Sequence, residues 1–535
     1  MGRRSAVVLL AILGAGAFLA GLELMVTAVA LPSIVVDLAD WSALRTASWI
    51  VNAYLLASIV TMPLAGKAAD RWGVRRPFLG ALVVFGVGSL LAGRAQSLDE
   101  LIAARVIQAV GGGTLVPVAT AAAAHLFDGP ARARALGVVG GLTFLGMAAG
   151  PFVGAWVIEA AHPAAALDAL QIRGDLRAAL DAPWRFVFYV NVPIALAALA
   201  GAWAGSSGWL VATRPTRLDL RGAAAFSIGL GSLLVGLTLA GSDAAGGPPL
   251  VAGVLFGGTT LAGLLMALWL GGRHEDPFVD RRWFGSVAFR SAALVSLLTG
   301  YGFATTIIGG AVFVDRVLYG GPDVQRLALG ALAGATAVGA LLSGFALRAA
   351  GLRLTTAIGL GLSIAALVRM AGWTGATNLA DVAAWLAAFG LGFGLTVTPR
   401  STAAVEALGR RAFGAAAATV TVARMIGMAI GLAVLSAFGS TTIDRVLAAV
   451  HATPDAYRAF IPEALRGRPL EDGLVVQALE AWASAEAARI LVGVFLVAAA
   501  VMAIALVPAL RLEVPARPAE ATVGEADEGG PAYAL

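Results

Sequence analysis

Gly66-Lys67-Ala68-Ala69-Asp70-Arg71-Trp72-Gly73-Val74-Arg75-Arg76 is a short, densely charged stretch between two long apolar runs, 46–65 and 77–93. A connection this short cannot form a domain, so its charges belong at a membrane surface. Their cationic excess assigns that surface to the cytoplasm. The same glycine spacing returns at Gly344…Gly351-Leu352-Arg353, with Arg348 where Asp70 stands. Recurrence of one loop between two pairs of apolar runs points to an internal two-fold repeat, unequal in that only the first copy keeps the anion. Gly66 and Gly73 permit tight turns and close backbone approach. Asp70 suits a helix N-terminus, and the helix starting near Phe413-Gly414 is the one expected to receive it. Arg71, Arg75 and Arg76 either brace Asp70 or anchor in anionic headgroups, with anchoring favoured for Arg76.

Composition agrees with a membrane protein. The chain is 59% hydrophobic and 13% charged, with a mean hydropathy of +0.86, outside the range of soluble domains of this length. Cysteine is absent, which removes disulfides and thiolate metal sites. The four histidines are scattered, so no metal site is expected. The net charge of +5 comes from arginines spread over many loops, not from a basic patch, so nucleic acid is not an expected partner. Met1-Gly2-Arg3-Arg4-Ser5 precedes an apolar run of about 25 residues, long enough to span a bilayer. It reads as a retained first helix rather than a cleaved signal.

Fourteen crossings are predicted, at 7–31, 46–65, 77–93, 100–123, 134–159, 184–204, 221–241, 250–271, 289–318, 327–347, 353–372, 381–399, 413–440 and 484–510. The 289–318 and 413–440 segments are long enough to tilt or project from the bilayer. An even count places both termini on one side. With that side cytoplasmic, its loops hold 22 Lys and Arg residues, Arg400 among them, against 8 on the opposite side. The expected fold is therefore an all-α integral membrane protein. Residues 1–204 form one six-helix bundle, 205–288 a linker with two extra helices, and 289–510 a second six-helix bundle. The tail 511–535 reads as disordered. On the outer side, 160–183 reads as a loop with a short surface helix. Residues 441–483 read as a longer excursion with helix-like pieces around 441–450 and 474–486, either a solvated cap or a lid or docking surface.

Glu23 is the key intramembrane acid. A carboxylate in hydrocarbon is costly, so it is expected to face a cavity and to titrate or pair. Burial favours its neutral form and a neighbouring cation its ionised form, which ties protonation to the shape of the cavity. Glu23 lies about 24 Å along the first helix and Arg105 about 8 Å below the outer face on the fourth. They fall at similar depth and can pair, for proton coupling or as a structural ion pair. Arg424 lies about 17 Å into its helix. It can hold Glu23 ionised, contact a polar headgroup or lock a helix junction, and it cannot lose its proton.

Several motifs in order resemble the major facilitator superfamily, over nearly all of residues 7–510. Gly66–Arg76 is similar to its loop between helices 2 and 3. Leu22-Glu23…Ala30-Leu31-Pro32 resembles the helix 1 motif of the fourteen-helix drug:proton antiporters, and Trp49 and Tyr54 fit helix 2. Arg105-Val106-Ile107-Gln108-Ala109-Val110-Gly111-Gly112-Gly113 resembles the helix 4 motif. Gly146…Gly150-Pro151…Gly154 resembles the antiporter signature of helix 5, where proline bends the helix and the glycines permit packing or hinging. Trp184–Pro193 resembles the start of helix 6. Ala418–Met428 and the excursion after it are similar to an actinobacterial branch that exports triacylglycerides with a periplasmic lipid-binding lipoprotein. The chain departs from that branch in having Phe144 where the branch carries a glutamate in helix 5, and Gly309-Gly310-Ala311 where the branch carries acids in helix 7.

The resemblance implies two six-helix bundles plus two linker helices. It also implies export of a hydrophobic or amphipathic molecule by alternating access, driven by the proton gradient with no other cofactor. Glu23, Arg105, Gln108 and Arg424 would serve proton coupling and the central cavity. Gly66, Asp70, Arg71, Gly73 and Arg75 would form a cytoplasmic gate. A lipid substrate ranks ahead of a drug, because the missing helix 5 acid weakens recognition of a cation. A multidrug antiporter and an uncoupled lipid scramblase or scaffold are the alternatives. Membrane lipids and an extracytoplasmic lipoprotein are the implied partners, the bacterial inner membrane the location, and a monomer the expected state. No GxxxxGK[ST], GxSxG or HExxH pattern occurs, which disfavours ATP-driven transport and enzymatic function.

Overall fold

The computed structural model describes the chain except for residues 1–2, 39–48, 162–167, 169–170, 172, 175–176, 178–179, 206–218, 241–248, 276, 410–411, 453–457, 459, 469–471 and 514–535. Each predicted crossing falls on a helix. In chain order these are α1 (Arg3–Leu38), α2 (Trp49–Trp72), α3 (Arg75–Arg94), α4 (Leu98–Leu126), α5 (Gly129–Ala160), α6 (Asn191–Gly205), α7 (Leu220–Ala240), α8 (Pro249–Gly271) and α9 (Val287–Val312). Pro322–Met370 is then one hydrogen-bonded run folded at Gly351 (φ 72°, ψ 179°), giving α10 (322–350) and α11 (352–370). The last three are α12 (Leu379–Leu395, continued after one turn residue by Val397–Leu408), α13 (Phe413–Ala452) and α14 (Gly473–Ile504). Among the described residues, twelve helical runs are long and apolar enough to cross a bilayer, the doubled α10–α11 counting once.

Local chemistry starts these helices where they start. Ser97 caps α4 by accepting from the Glu100 amide at 3.3 Å, while the Glu100 carboxylate takes the Gln96 amide at 2.8 Å, so orphan donors at the first turn are satisfied from both sides. Ser286 caps α9, Asn378 caps α12 and Asp472 caps α14 through main-chain amides two or three residues on.

Inside a bilayer, hydrophobicity does not drive helices together; close packing does, and small residues allow it. In the first bundle Gly146 lies on the Phe18 carbonyl and Gly150 on the Leu22 carbonyl, bringing α5 against α1. In the second, Gly427 lies on the Leu297 carbonyl and Gly431 on the Tyr301 carbonyl, bringing α13 against α9. Two glycines four residues apart do the same work in both halves, which is the internal repeat expressed as packing. The α7–α8 hairpin sits at the seam: Leu230 and Leu234 pack with Ile59 and Met62 of α2 and with Val422 and Met425 of α13.

Two expectations from the sequence need correction. Gly66–Arg76 is not a loop. Helix α2 runs through it to Trp72, because Lys67, Ala68, Ala69 and Arg71 are all good helix formers, and only Gly73-Val74 separate α2 from α3. Gly73 takes φ 75°, so it alone supplies the turn. Arg400 is not a loop cation. Its helix resumes at Val397 and carries it into the bundle at 1% exposure. Within the excursion 441–483 the helix-like pieces at 441–450 and 474–486 fall on helices that continue the membrane-spanning ones, α13 to Ala452 and α14 from Gly473. Forty residues of α13 span about 60 Å, roughly twice the hydrocarbon thickness. Between them Ile461 and Val475 are buried together, and Phe460 rests against Trp482 at 4.6 Å. Tyr319 at the end of α9 donates to the Glu480 carbonyl at 2.9 Å, which ties the extension down. The surface helix expected near 172–177 and the tail 514–535 lie outside the described residues, although Arg177 pairs with Asp168 at 2.6 Å.

Candidate functional site

Glu23 is fully buried on α1, and three elements converge on it. Arg105 of α4 forms an ion pair with its Oε1, Asn191 at the start of α6 donates to its Oε2 at 2.6 Å, and Thr27, one turn along α1, donates to Oε1 at 3.1 Å. Arg105 makes further contacts of its own. It donates to Gln108 Oε1 at 2.5 Å and to the Ile50 carbonyl of α2 at 3.3 Å. Its guanidinium lies 4.1 Å from the centre of the Tyr54 ring and 5.6 Å from that of Phe188. Gln108 passes the chain on to Ser89 of α3 at 2.7 Å. Five helices thus share one buried charged network.

The structure therefore brings Glu23, Arg105 and Gln108 together and leaves Arg424 apart. Arg424 enters from α13 with its guanidinium 5.3 Å from the Phe144 ring centre. Tyr54 links the two places. One side of its surroundings is Arg105, and the other is a narrow cavity that Arg424 also lines, together with Ser58 and Met147. Across the midplane Phe144 of the first bundle meets Phe303 and Phe393 of the second at 5.5 and 5.4 Å, closing the centre. Asn191, Tyr54, Ser89 and Thr27 belong to the network and were not singled out as site residues by the sequence. The signal for Asn191 was present: an asparagine before Val192-Pro193 at the head of an apolar run is an unpaired polar group that needs a partner inside the membrane.

At the end of the bundle that carries Gly73, here the inner end, Asp70 accepts from the main-chain amides of Gly414 and Ala415 at 2.7 and 2.8 Å. These are orphan donors of the first turn of α13, and a carboxylate there also meets the positive end of the helix dipole. Gly66, one turn earlier, faces Gly414 and Ala418, so α2 and α13 touch backbone to backbone. Phe413 beside them is flanked by His125 at 4.7 Å and by the Arg132 guanidinium at 5.1 Å. The second copy repeats the placement: Gly344 of α10 lies on the Ala133 carbonyl of α5, 2.9 Å from where its Cβ would stand. Of the remaining inner cations, Arg71 ends α2, and Arg75 opens α3 with its guanidinium 5.5 Å from the Trp203 ring centre. Arg76 is exposed and lines a lateral cleft with Lys67 and Trp72.

Of the helix 5 residues, Gly146 and Gly150 pack on α1 as described, Gly154 is buried, and α5 runs unbroken through Pro151. At the outer end Arg185 holds the Gly93 and Ala95 carbonyls at 3.0 and 2.5 Å, and Trp184 donates to Asp37 at 2.9 Å, fixing the start of α6 and hence Asn191.

Residues 13–432 match the family model of the Major Facilitator Superfamily. A triacylglyceride transporter of Mycolicibacterium hassiacum is 33% identical over 416 residues, covering 74% of this chain and 72% of that protein. The multidrug transporter MdtP of Bacillus subtilis is 26% identical, covering 78% and 73% respectively. Among solved structures, an inward-facing, unoccupied bacterial homologue of the human lysosomal transporter Spinster superposes with a TM-score of 0.57 at 18% identity, covering 96% of this chain and 100% of that one. The chain belongs to the major facilitator superfamily of membrane transporters.

Proposed function

We propose that this transporter is a proton-coupled secondary exporter of hydrophobic or amphipathic molecules, with a lipid as the favoured substrate. The observation that carries the reading is the Glu23 network. A buried carboxylate held by Arg105, Asn191 and Thr27 balances the buried Arg105 charge only while it is ionised. Breaking a buried pair costs about 3–5 kcal/mol. Moving a two-state equilibrium from 1:99 to 99:1 takes about 5.5 kcal/mol. Protonation of this one group therefore supplies most of what a change of state needs. Once neutral, Glu23 releases Arg105, and the Tyr54 ring stacked on that guanidinium passes the change to the central cavity.

Similarity to proteins named as triacylglyceride transporters supports the lipid, and similarity to MdtP keeps a drug substrate as the second reading. The cation bias of the inner loops supports placement in a bacterial cytoplasmic membrane with both termini inside. A monomer needs no further contact to complete the network, and the long outer extensions of α13 and α14 suit an extracytoplasmic lipid-binding protein.

The test is transport in proteoliposomes with and without an imposed pH gradient. The wild type should accelerate at least tenfold with the gradient, and Glu23→Gln should transport equally slowly with or without it. Equal, gradient-blind transfer by both proteins would point to a scramblase or scaffold instead.

A further inference from the structure

Two buried cations are left over once the Glu23 network is complete. Arg400, on the continuation of α12, is 1% exposed, and Arg424 of α13 is 9% exposed. Both line one cavity of about 40 Å³ between the two bundles. Among the described residues neither has a carboxylate partner. Arg400 donates to the Thr299 hydroxyl at 2.5 Å, and the Nε of Arg424 has no acceptor. Aromatic rings cover their faces, with Phe393 5.0 Å from Arg400 and Phe144 5.3 Å from Arg424. Stacking of this kind occupies the π surface and leaves the N–H edges for an acceptor in the plane.

Burying one cation without a counter-charge is costly, and placing two in one cavity adds their repulsion. The intramembrane acid Glu23 is consumed by Arg105, and no Asp or Glu lines the cavity. The hydroxyls of Thr143 and Thr421 donate to carbonyls of their own helices and so offer only lone pairs. The cavity is thus rich in directed donors and lacks an anion.

We propose that Arg400 and Arg424 bind the anionic head group, carboxylate or phosphate, of the amphiphile that this transporter moves. This rests on the exporter reading above and adds the charge of the substrate to it. The guanidinium fork matches either oxyanion bidentately. The two arginines approach from different helices of the second bundle, while Phe144, Thr143 and Val139 of α5 form the wall from the first. A head group held here would therefore bridge the halves. In this closed form the cavity admits a head group and no tail; the tail requires the opened state.

The test is binding by the purified full-length protein in phosphatidylcholine nanodiscs, with decanoate, decyl phosphate, decanol, decyltrimethylammonium and inorganic phosphate below micellar concentration. The two decyl anions should bind at least tenfold more tightly than decanol, the ammonium analogue should not bind, and inorganic phosphate should bind far more weakly than decyl phosphate. Arg400→Gln and Arg424→Gln should each lower anion affinity at least tenfold without changing that for decanol, and the Lys variants should keep part of it. Equal binding of decanol and decanoate overturns the proposal, as does inorganic phosphate binding as tightly as decyl phosphate, which would make the site one for free anions. If a Gln variant does not fold, the head-group preference of the wild type decides. Binding needs no gradient, so the two readings fail separately. Head-group selectivity without gradient-driven export overturns the exporter and keeps the site; gradient-driven export without selectivity does the reverse.

Discussion

Arg105 ties three helices together, because its donors reach α1, α2 and its own helix while its π face takes up Tyr54. Removing it leaves the Glu23 carboxylate buried with only Asn191 and Thr27 as donors. The cost of such an orphaned charge is about 3–5 kcal/mol. Arg105→Gln should therefore lower the thermal midpoint in detergent by several degrees. The loss should be greater at pH 8 than at pH 5, because the acid can accept a proton at low pH and becomes a tolerable neutral group. Adding Glu23→Gln should restore most of the midpoint and remove the pH dependence, since no charge is then left buried at the site. A double variant no more stable than Arg105→Gln, measured at both pH values by the same melt, would mean that Arg105 acts through its packing on Tyr54 and not through Glu23.

Among the helices, the glycine contacts of α5 on α1 and of α13 on α9 set how closely each bundle closes. A methyl group at Gly146 would meet the Phe18 carbonyl, and one at Gly427 the Leu297 carbonyl, both main-chain atoms that cannot swing aside. Overpacking of this kind costs about 1–3 kcal/mol. Gly146→Ala and Gly427→Ala should each lower the midpoint by a few degrees, whereas Gly361→Ala, where the added carbon meets nothing within 4 Å, should leave it unchanged. Equal melts for the three would show that these contacts are loose in the membrane. The helices themselves were readable from the sequence, because hydropathy over 20 residues is a local property that the bilayer enforces. The depth of Glu23 and Arg105 was readable too, since helical rise turns residue number into distance. What could not be read was set by tertiary contact. Arg400 looked like a loop cation because Thr396-Val397-Thr398-Pro399 imitates a helix end, yet the chain makes one turn there and goes on. Tyr54, Ser89 and Asn191 are ordinary residues until α1 and α4 place Glu23, Arg105 and Gln108 against them.

Taken over its whole length, the molecule closes its inner end with two related contacts that differ in chemistry. Gly66 of α2 sits on α13, and Gly344 of α10 sits on α5, each seven residues before a glycine with φ above 70°. Only the first is reinforced by a charge, Asp70 on the Gly414 and Ala415 amides, each such bond worth about 1.5–3 kcal/mol. Arg348, at the matching position, has no use for the positive end of a helix. The packing contacts should therefore act alike and the charged positions should not. The absence of cysteine makes this measurable: Ser401→Cys, which lines the central cavity, gives a single labelling site. In inside-out vesicles Gly66→Leu and Gly344→Leu should both raise its labelling rate several-fold, since leucine at either place forces the two bundles apart. Asp70→Asn should raise the rate by a smaller factor and slow transport, because an asparagine oxygen can still take one of the two amides, without the charge. Arg348→Gln should change neither. Equal effects of Asp70→Asn and Arg348→Gln would reduce both to topology anchors and assign inner closure to packing alone, and an unchanged rate in Gly344→Leu would confine the closing contact to the α2–α13 side.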